Sequence, residues 1–159
     1  MGRLKYYANA WLPARDLLVS SVMTSKASVD PTGQILLFEQ FLPWKVFFCS
    51  SLDSDLHLAV ILFQEHLFEL ETDEKNTAIE ANKAIYVVYP DETAGSWRVQ
   101  AVPVSPESFE SRKALPEAWR GLRDEELSRV SGIKGGIFIH ASGFIGGKLY
   151  IYLNLTNLF

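Results

Sequence analysis

The group with the clearest chemical potential in this sequence is a histidine beside a glycine-rich stretch, at residues 140–147. His140 ends an apolar run, and Gly143, Gly146 and Gly147 follow it. Glycines after a strand permit positive φ angles and let backbone N–H groups approach an anion, and such turns often open a helix whose N-terminus favours phosphate. His140 would there act as a base, a proton shuttle or a ligand of a substrate phosphate. The alternatives are a glycine turn that serves packing alone and a histidine that is merely hydrogen-bonded, since the full phosphate-binding fingerprints are absent.

A second stretch alternates metal-competent side chains, because Asp53, Asp55 and His57 would share one face of a strand. No other cluster completes this set, so we do not expect a metal site there. The single cysteine, Cys49, excludes an internal disulfide and a multi-cysteine zinc site, which favours an intracellular chain. The sequence offers no defensible Ser-His-Asp or Cys-His pairing, and composition and spacing alone predict no enzyme.

A basic stretch with a tryptophan inside it could grip a phosphate backbone and stack a base. Its members are Arg112, Lys113, Trp119, Arg120, Arg123, Arg129 and Lys134. Acidic residues of the same region, from Glu107 to Glu126, cancel this charge. The formal net charge of -4 also excludes the basic global field of autonomous nucleic-acid binders. A solvated face of mixed charge is the better interpretation, and any nucleic-acid contact must be local.

The elements that must position these residues follow from hydrophobic spacing and turn signals. We predict, in chain order, a helix over 13–26, a turn at Asp30–Gly33, a strand within Gln34–Phe41, a surface helix around Leu67 and Leu70, a hairpin of Ile85–Tyr89 with Trp97–Val102, an ordered connection over Pro103–Glu117, a helix over 123–131 and a buried strand at Ile137–His140. Helices and strands mix without strict βαβ alternation, and 159 residues that are 48% apolar suffice for one core. The predicted fold class is α+β, or loosely α/β, with a mixed sheet and flanking helices.

The longest nearly apolar run, Leu56–Phe63, falls well short of the roughly 20 residues that a membrane span needs. We therefore expect no membrane interaction.

Five motifs stand out for their length and order: Trp11–Arg15, Gly33–Leu37, Trp97–Pro103, Leu115–Arg123 and His140–Gly147. Together they resemble the melanocyte-proliferating-gene exonuclease family, in the family's own order. The resemblance covers most of residues 4–45 and 65–147, and it implies a metal-dependent three-prime-to-five-prime RNA exonuclease of nucleus and mitochondrion, within the DHH phosphoesterase superfamily.

The resemblance is limited to the C-terminal half of such proteins. We therefore expect residues 1–159 to form a single incomplete C-terminal domain. The family's Mn²⁺ or Mg²⁺ is held by motifs of the other half, and we therefore expect no metal ligand and no catalytic residue here, and no RNA hydrolysis by the chain alone. In the superfamily a glycine-rich strand-turn lines the substrate cleft. The resemblance maps this contact with single-stranded RNA onto His140, Ser142, Gly143, Gly146, Gly147 and Arg120.

Two segments depart from the family pattern. Residues 46–64 separate Lys45 from Glu65 as an insertion. This segment opens with Val and closes with Gln, which is compatible with codons that begin GT and end CAG, the signature of a retained intron translated in frame. The tail 148–159 diverges and alternates with period two, which predicts a strand where the family has a polar helix. The apolar side chains of that tail are Ile151, Leu153 and Leu155. They support the alternative function, a non-catalytic isoform that binds the full-length protein or a second copy of itself, or an unstable splice product.

Overall fold

The computed structural model describes residues 12–39, 64–72, 83–91 and 95–149. Within these ranges three α-helices, one 3-10 turn and five strands form an α+β fold, as predicted. The helices are α1 (Leu12–Ser28), α2 (64–72) and α3 (Asp124–Ser131), and the 3-10 turn is Glu117–Trp119. The strands are β1 (Ile35–Leu37), β2 (Tyr86–Pro90), β3 (Trp97–Ala101), β4 (Gly136–Ile139) and β5 (Ile145–Lys148). The three predicted helices and the predicted hairpin of β2 with β3 are thus confirmed.

The five strands form one mixed sheet in the order β1-β2-β3-β5-β4. Strand β1 runs parallel to β2, and all the other pairings are antiparallel. Strand β5 lies between β3 and β4, so β4 occupies an edge. The prediction of a buried strand at Ile137–His140 was wrong in this respect, because only Ile139 of β4 is buried. A short apolar run cannot reveal which strands will flank it.

The sheet carries a hydrophobic cluster on each face, because side chains alternate along a strand. On one face Val87 and Tyr89 of β2 pack with α1 and α2, whose Leu18, Leu67 and neighbours are almost fully buried. On the other face Tyr86 packs with Leu127 of α3 and with other residues of a second cluster. The fold therefore has helices on both sides of the sheet.

Both edges of the sheet are closed by other parts of the chain. At β1, the hydroxyl of Ser25 accepts a hydrogen bond from the Leu37 amide at 2.8 Å and donates to the Ser21 carbonyl of its own helix at 2.6 Å, with the Leu37 carbonyl 3.3 Å away. At β4, the Gly121 amide donates to the Ile139 carbonyl at 3.0 Å and the Ile139 amide donates to the Leu122 carbonyl at 3.1 Å. These contacts use backbone groups that would otherwise be free to pair with another strand.

Several predictions concern residues outside the described ranges. They are residues 46–63 of the predicted insertion 46–64, with Cys49 and the alternating Asp53, Asp55 and His57, and residues 150–159 of the predicted tail 148–159, with its apolar side chains. In the described part of the chain, no helix is both long and apolar enough to cross a membrane.

Candidate functional site

The glycine-rich stretch is the turn of a β-hairpin. His140 donates its amide to the Ile145 carbonyl at 2.9 Å, and the Gly143 amide donates to the His140 carbonyl at 2.8 Å, which closes a tight turn between β4 and β5. Glycine turns of this kind often open a helix, but here residues from Ile145 onward pair with β3 and β4 as a strand. No helix dipole therefore contributes to anion binding at this turn.

Gly146 and Gly147 make close packing possible on opposite faces of the sheet. A Cβ atom on Gly146 would overlap Ile139 Cδ1 and approach Leu115 Cδ1 to 3.4 Å. A Cβ atom on Gly147 would overlap an Arg98 guanidinium nitrogen and lie 2.9 Å from the Phe138 ring. Both glycines are buried in β5. These contacts favour the packing interpretation for the two glycines.

Gly143 is required by backbone conformation as well as by space. Its φ angle is +74°, in the left-handed region that favours glycine. A Cβ atom there would lie 2.7 Å from Arg120 Nε and 3.1 Å from the Leu115 carbonyl oxygen. Gly143 therefore lets Arg120 lie directly against the turn.

Arg120 is anchored beside the turn through one of its five donors. Its Nε donates to the Leu115 carbonyl at 2.9 Å, and Leu115 in turn donates its amide to the Gly143 carbonyl at 2.8 Å. Among the described residues, no acceptor meets the four N–H groups on the terminal nitrogens of this guanidinium. A fixed guanidinium with open donors suits an anion such as phosphate.

His140 and Ser142 form the exposed tip of the same turn. The Nδ1 atom of His140 lies 2.9 Å from Ser142 Oγ and accepts the Ser142 amide at 3.2 Å. The imidazole also meets the Phe144 ring edge to face, with centroids 4.8 Å apart. A hydroxyl that donates to an imidazole is the first half of a nucleophile and base pair, which sequence reasoning did not find. In the described ranges, however, no carboxylate contacts the imidazole to complete a triad.

The structure thus brings Arg120, Gly143, His140 and Ser142 together at one turn, whereas Gly146 and Gly147 lie inside the sheet. We refer to Arg120, His140 and Ser142 as the turn site. Their arrangement provides a permanent cation, an imidazole and a hydroxyl, which are groups that can donate hydrogen bonds to an anion.

A row of side chains across the sheet was not predicted from sequence. The guanidinium of Arg98 lies over the Phe138 ring at 5.1 Å from its centroid, and that of Arg123 lies over it at 5.8 Å. Arg98 is also ion-paired with Asp91. These residues lie on β3, on β4 and in the connection before α3, so only the strand order places them together. No single sequence segment carries a signal for this row.

Arg112 is largely buried, although the sequence predicted a solvated face of mixed charge for the stretch that contains it. It forms a bidentate ion pair with Glu71 of α2, with contacts of 2.8 and 2.6 Å, and it also donates to the Ala84 carbonyl at 2.7 Å. The Arg112 and Glu71 side chains are 11% and 3% exposed. Arg112 therefore serves the fold and is not available to a nucleic acid.

In the part of the chain that the structure describes, no group of three or more His, Cys, Asp or Glu side chains could hold a metal ion. A surface depression of about 380 Å³ lies elsewhere, along α1. It is lined by Arg15, Asp16, Val19, Ser20, Met23 and Thr24, none of which is a predicted site residue.

Comparison with known proteins identifies relatives of the whole chain. A family model described as MYG1 exonuclease, uncharacterised protein family UPF0160, matches residues 1–59 and 51–151. A MYG1 protein of Caenorhabditis elegans is 44% identical over 148 residues, which are 92% of this chain and 37% of the relative. The MYG1 exonuclease of Homo sapiens is 44% identical over 146 residues, 91% of this chain and 32% of the relative. A MYG1 protein of Saccharomyces cerevisiae is 44% identical over 141 residues, 89% of this chain and 34% of the relative.

The chain spans about a third of the length of the curated relatives it matches. No solved structure matches it. The similarity along almost the whole chain confirms the family resemblance that the sequence motifs indicated.

Proposed function

Since this chain belongs to the MYG1 exonuclease family, we propose that it is the substrate-holding portion of a metal-dependent exonuclease and binds single-stranded RNA at the turn site. In this proposal the chain corresponds to the C-terminal part of the longer family members. The metal and the residues that cleave the phosphodiester bond belong to the remainder of those proteins, so the chain alone binds RNA without hydrolysing it. The nucleus and the mitochondrion are the compartments in which we expect it.

The observation that carries the proposal is the anchored guanidinium of Arg120. Its Nε is held by the Leu115 carbonyl, and its remaining N–H groups have no acceptor among the described residues. It lies against Gly143, whose turn presents the exposed His140 and Ser142. A guanidinium, an imidazole and a hydroxyl at one turn can supply several hydrogen bonds to phosphate oxygens.

The net charge of the chain sets the strength of this binding. A formal charge of -4 provides no long-range attraction for RNA. The contact therefore depends on a few local donors, and we expect weak binding that declines as salt rises. For single strands, each phosphate contact changes the slope of log affinity against log salt by about 0.7.

The test is a fluorescence anisotropy titration of the purified chain with a short labelled single-stranded RNA at several salt concentrations. We expect Arg120→Ala to weaken binding and to reduce the salt slope by about 0.7, because one phosphate contact is lost. Arg129→Ala is the matched control, since it removes the same charge from an exposed position on α3. The control should keep the affinity and the slope of the unmodified chain.

Equal losses in the two variants would assign the binding to net charge rather than to the turn site. No binding by a chain that circular dichroism shows to be folded would overturn the proposal. The same titration with double-stranded RNA tests the preference for single strands.

A further inference from the structure

We propose that Ser142 is a positioning residue that holds His140 in the tautomer carrying its proton on Nε2, so that the ring offers an N–H donor to an anionic oxygen. The inference rests on the proposed function, because it takes the anion to be a phosphate of the bound strand. It selects one of the three roles that the sequence left open for His140, namely the ligand of a phosphate.

The tautomer follows from the contacts of Nδ1. The Ser142 backbone amide lies 3.2 Å from this atom and can only donate, so Nδ1 must supply a lone pair. The Ser142 hydroxyl, at 2.9 Å, can donate to the same atom. In a neutral imidazole, when one ring nitrogen accepts, the other carries the proton. The proton of His140 is therefore on Nε2.

This tautomer decides which chemistry the ring can perform. A ring nitrogen that carries a proton has no lone pair in the ring plane, so Nε2 cannot take a proton from a water or a hydroxyl group. It can donate to a phosphate oxygen. Both residues are exposed, and the Phe144 ring edge restricts the imidazole from one side. The arrangement therefore fits a neutral hydrogen-bond donor beside the fixed charge of Arg120.

Long-range ¹H–¹⁵N NMR of the uniformly ¹⁵N-labelled chain tests this at about pH 8, above the ordinary histidine pKa of about 6.5. The chain has three histidines, and His140→Ala assigns the resonances of interest. We expect a pyrrole-type signal for Nε2 and a pyridine-type signal for Nδ1. Ser142→Ala keeps the backbone amide contact at 3.2 Å but removes the shorter hydroxyl contact at 2.9 Å, so the share of the other tautomer should rise. Ser142→Thr, which keeps the hydroxyl, should restore the original pattern.

The RNA titration gives a second readout. We expect Ser142→Ala to lower the affinity about two- to tenfold, the range for one hydrogen bond, with recovery in Ser142→Thr. A proton on Nδ1 in the unmodified chain, or a tautomer that Ser142→Ala leaves unchanged, would overturn the positioning role. Failure of the proposed function can be distinguished from failure of this inference. In that case Arg120→Ala would leave the RNA affinity unchanged, while the NMR signals of His140 would still change in Ser142→Ala.

Discussion

Arg112 and Glu71 form a bidentate ion pair that joins the connection after β3 to helix α2, with N–O distances of 2.8 and 2.6 Å. Both residues also hold the backbone of Ala84, because Glu71 accepts its amide at 3.0 Å and Arg112 donates to its carbonyl at 2.7 Å. The Arg112 guanidinium additionally lies 4.6 Å above the Phe68 ring. One pair of side chains thus fixes α2, the entry to β2 and the connection after β3 relative to one another.

Arg112→Ala should therefore destabilise the fold strongly. It leaves the Glu71 carboxylate buried without its cation, and breaking a buried pair in this way costs about 3–5 kcal/mol. Urea unfolding followed by circular dichroism measures the loss. Arg129→Ala is the control, because it removes the same side chain from an exposed position on α3 and should change stability by less than about 0.5 kcal/mol. Similar effects of the two substitutions would contradict the role of the pair.

Stability should also fall in acid because of Asp30. Burial acts to raise the pKa of this carboxyl group, but hydrogen bonds from the Thr32 side chain and from the amides of Thr32, Gln34 and Ile35 together lower it below the ordinary 3.8. A lowered folded-state pKa gives stability that is present above 3.8 and lost as pH falls through the folded value. The free energy of unfolding, measured at successive pH values, should lose this acid dependence in Asp30→Asn. An unchanged profile would show that other carboxylates dominate.

Tyr89 should remain protonated well into the alkaline range. Burial raises the pKa of its phenol from 10.0 to about 12, and its hydroxyl donates to Gln100 Oε1 at 2.9 Å. A raised folded-state pKa gives stability that is complete below 10.0 and lost as pH rises towards about 12. Absorbance titration of tyrosinate should show a late step that disappears in Tyr89→Phe. If that step remained in the variant, another tyrosine would be responsible for it.

Gly147→Ala separates the packing interpretation from the anion-binding interpretation of the glycines. The added methyl group would overlap Arg98 and press on the Phe138 ring, and overpacking of this kind costs about 1–3 kcal/mol. We expect a lower thermal midpoint by calorimetry, and RNA affinity close to that of the unmodified chain at temperatures where the variant is folded. A normal midpoint combined with lost RNA binding would instead place the anion at Gly147.

The chain alone should leave RNA intact. In the described residues no side-chain cluster could hold a metal ion, and no carboxylate completes a triad with Ser142 and His140. Incubation of labelled single-stranded RNA with the purified chain and Mn²⁺ or Mg²⁺ should yield no product on a denaturing gel. Metal-dependent shortening from the three-prime end would contradict this expectation and would require catalytic residues outside the described ranges.

The amino-acid sequence by itself determined most of the local structure. Apolar spacing predicted α1, whose Leu18, Val22 and Ser25 form one buried face, and acids followed by a glycine predicted α3, which ends at Gly132 with φ +72°. Two segments rich in β-branched and aromatic residues, separated by a loop, predicted the hairpin of β2 with β3. These signals depend on contacts between residues near in sequence, so periodicity and turn chemistry suffice to read them.

Only the tertiary structure decided the roles of the glycine stretch and of its neighbours. Insertion of β5 between β3 and β4 made the glycine stretch a hairpin and placed Gly146 and Gly147 in the packed sheet. The same strand order brought Arg98 over Phe138, and chain folding brought Arg120 against Gly143. Such contacts join residues far apart in sequence, and many strand orders satisfy the same hydrophobic pattern. The packing of the complete chain selects one of them, and with it the side chains that meet at the turn site.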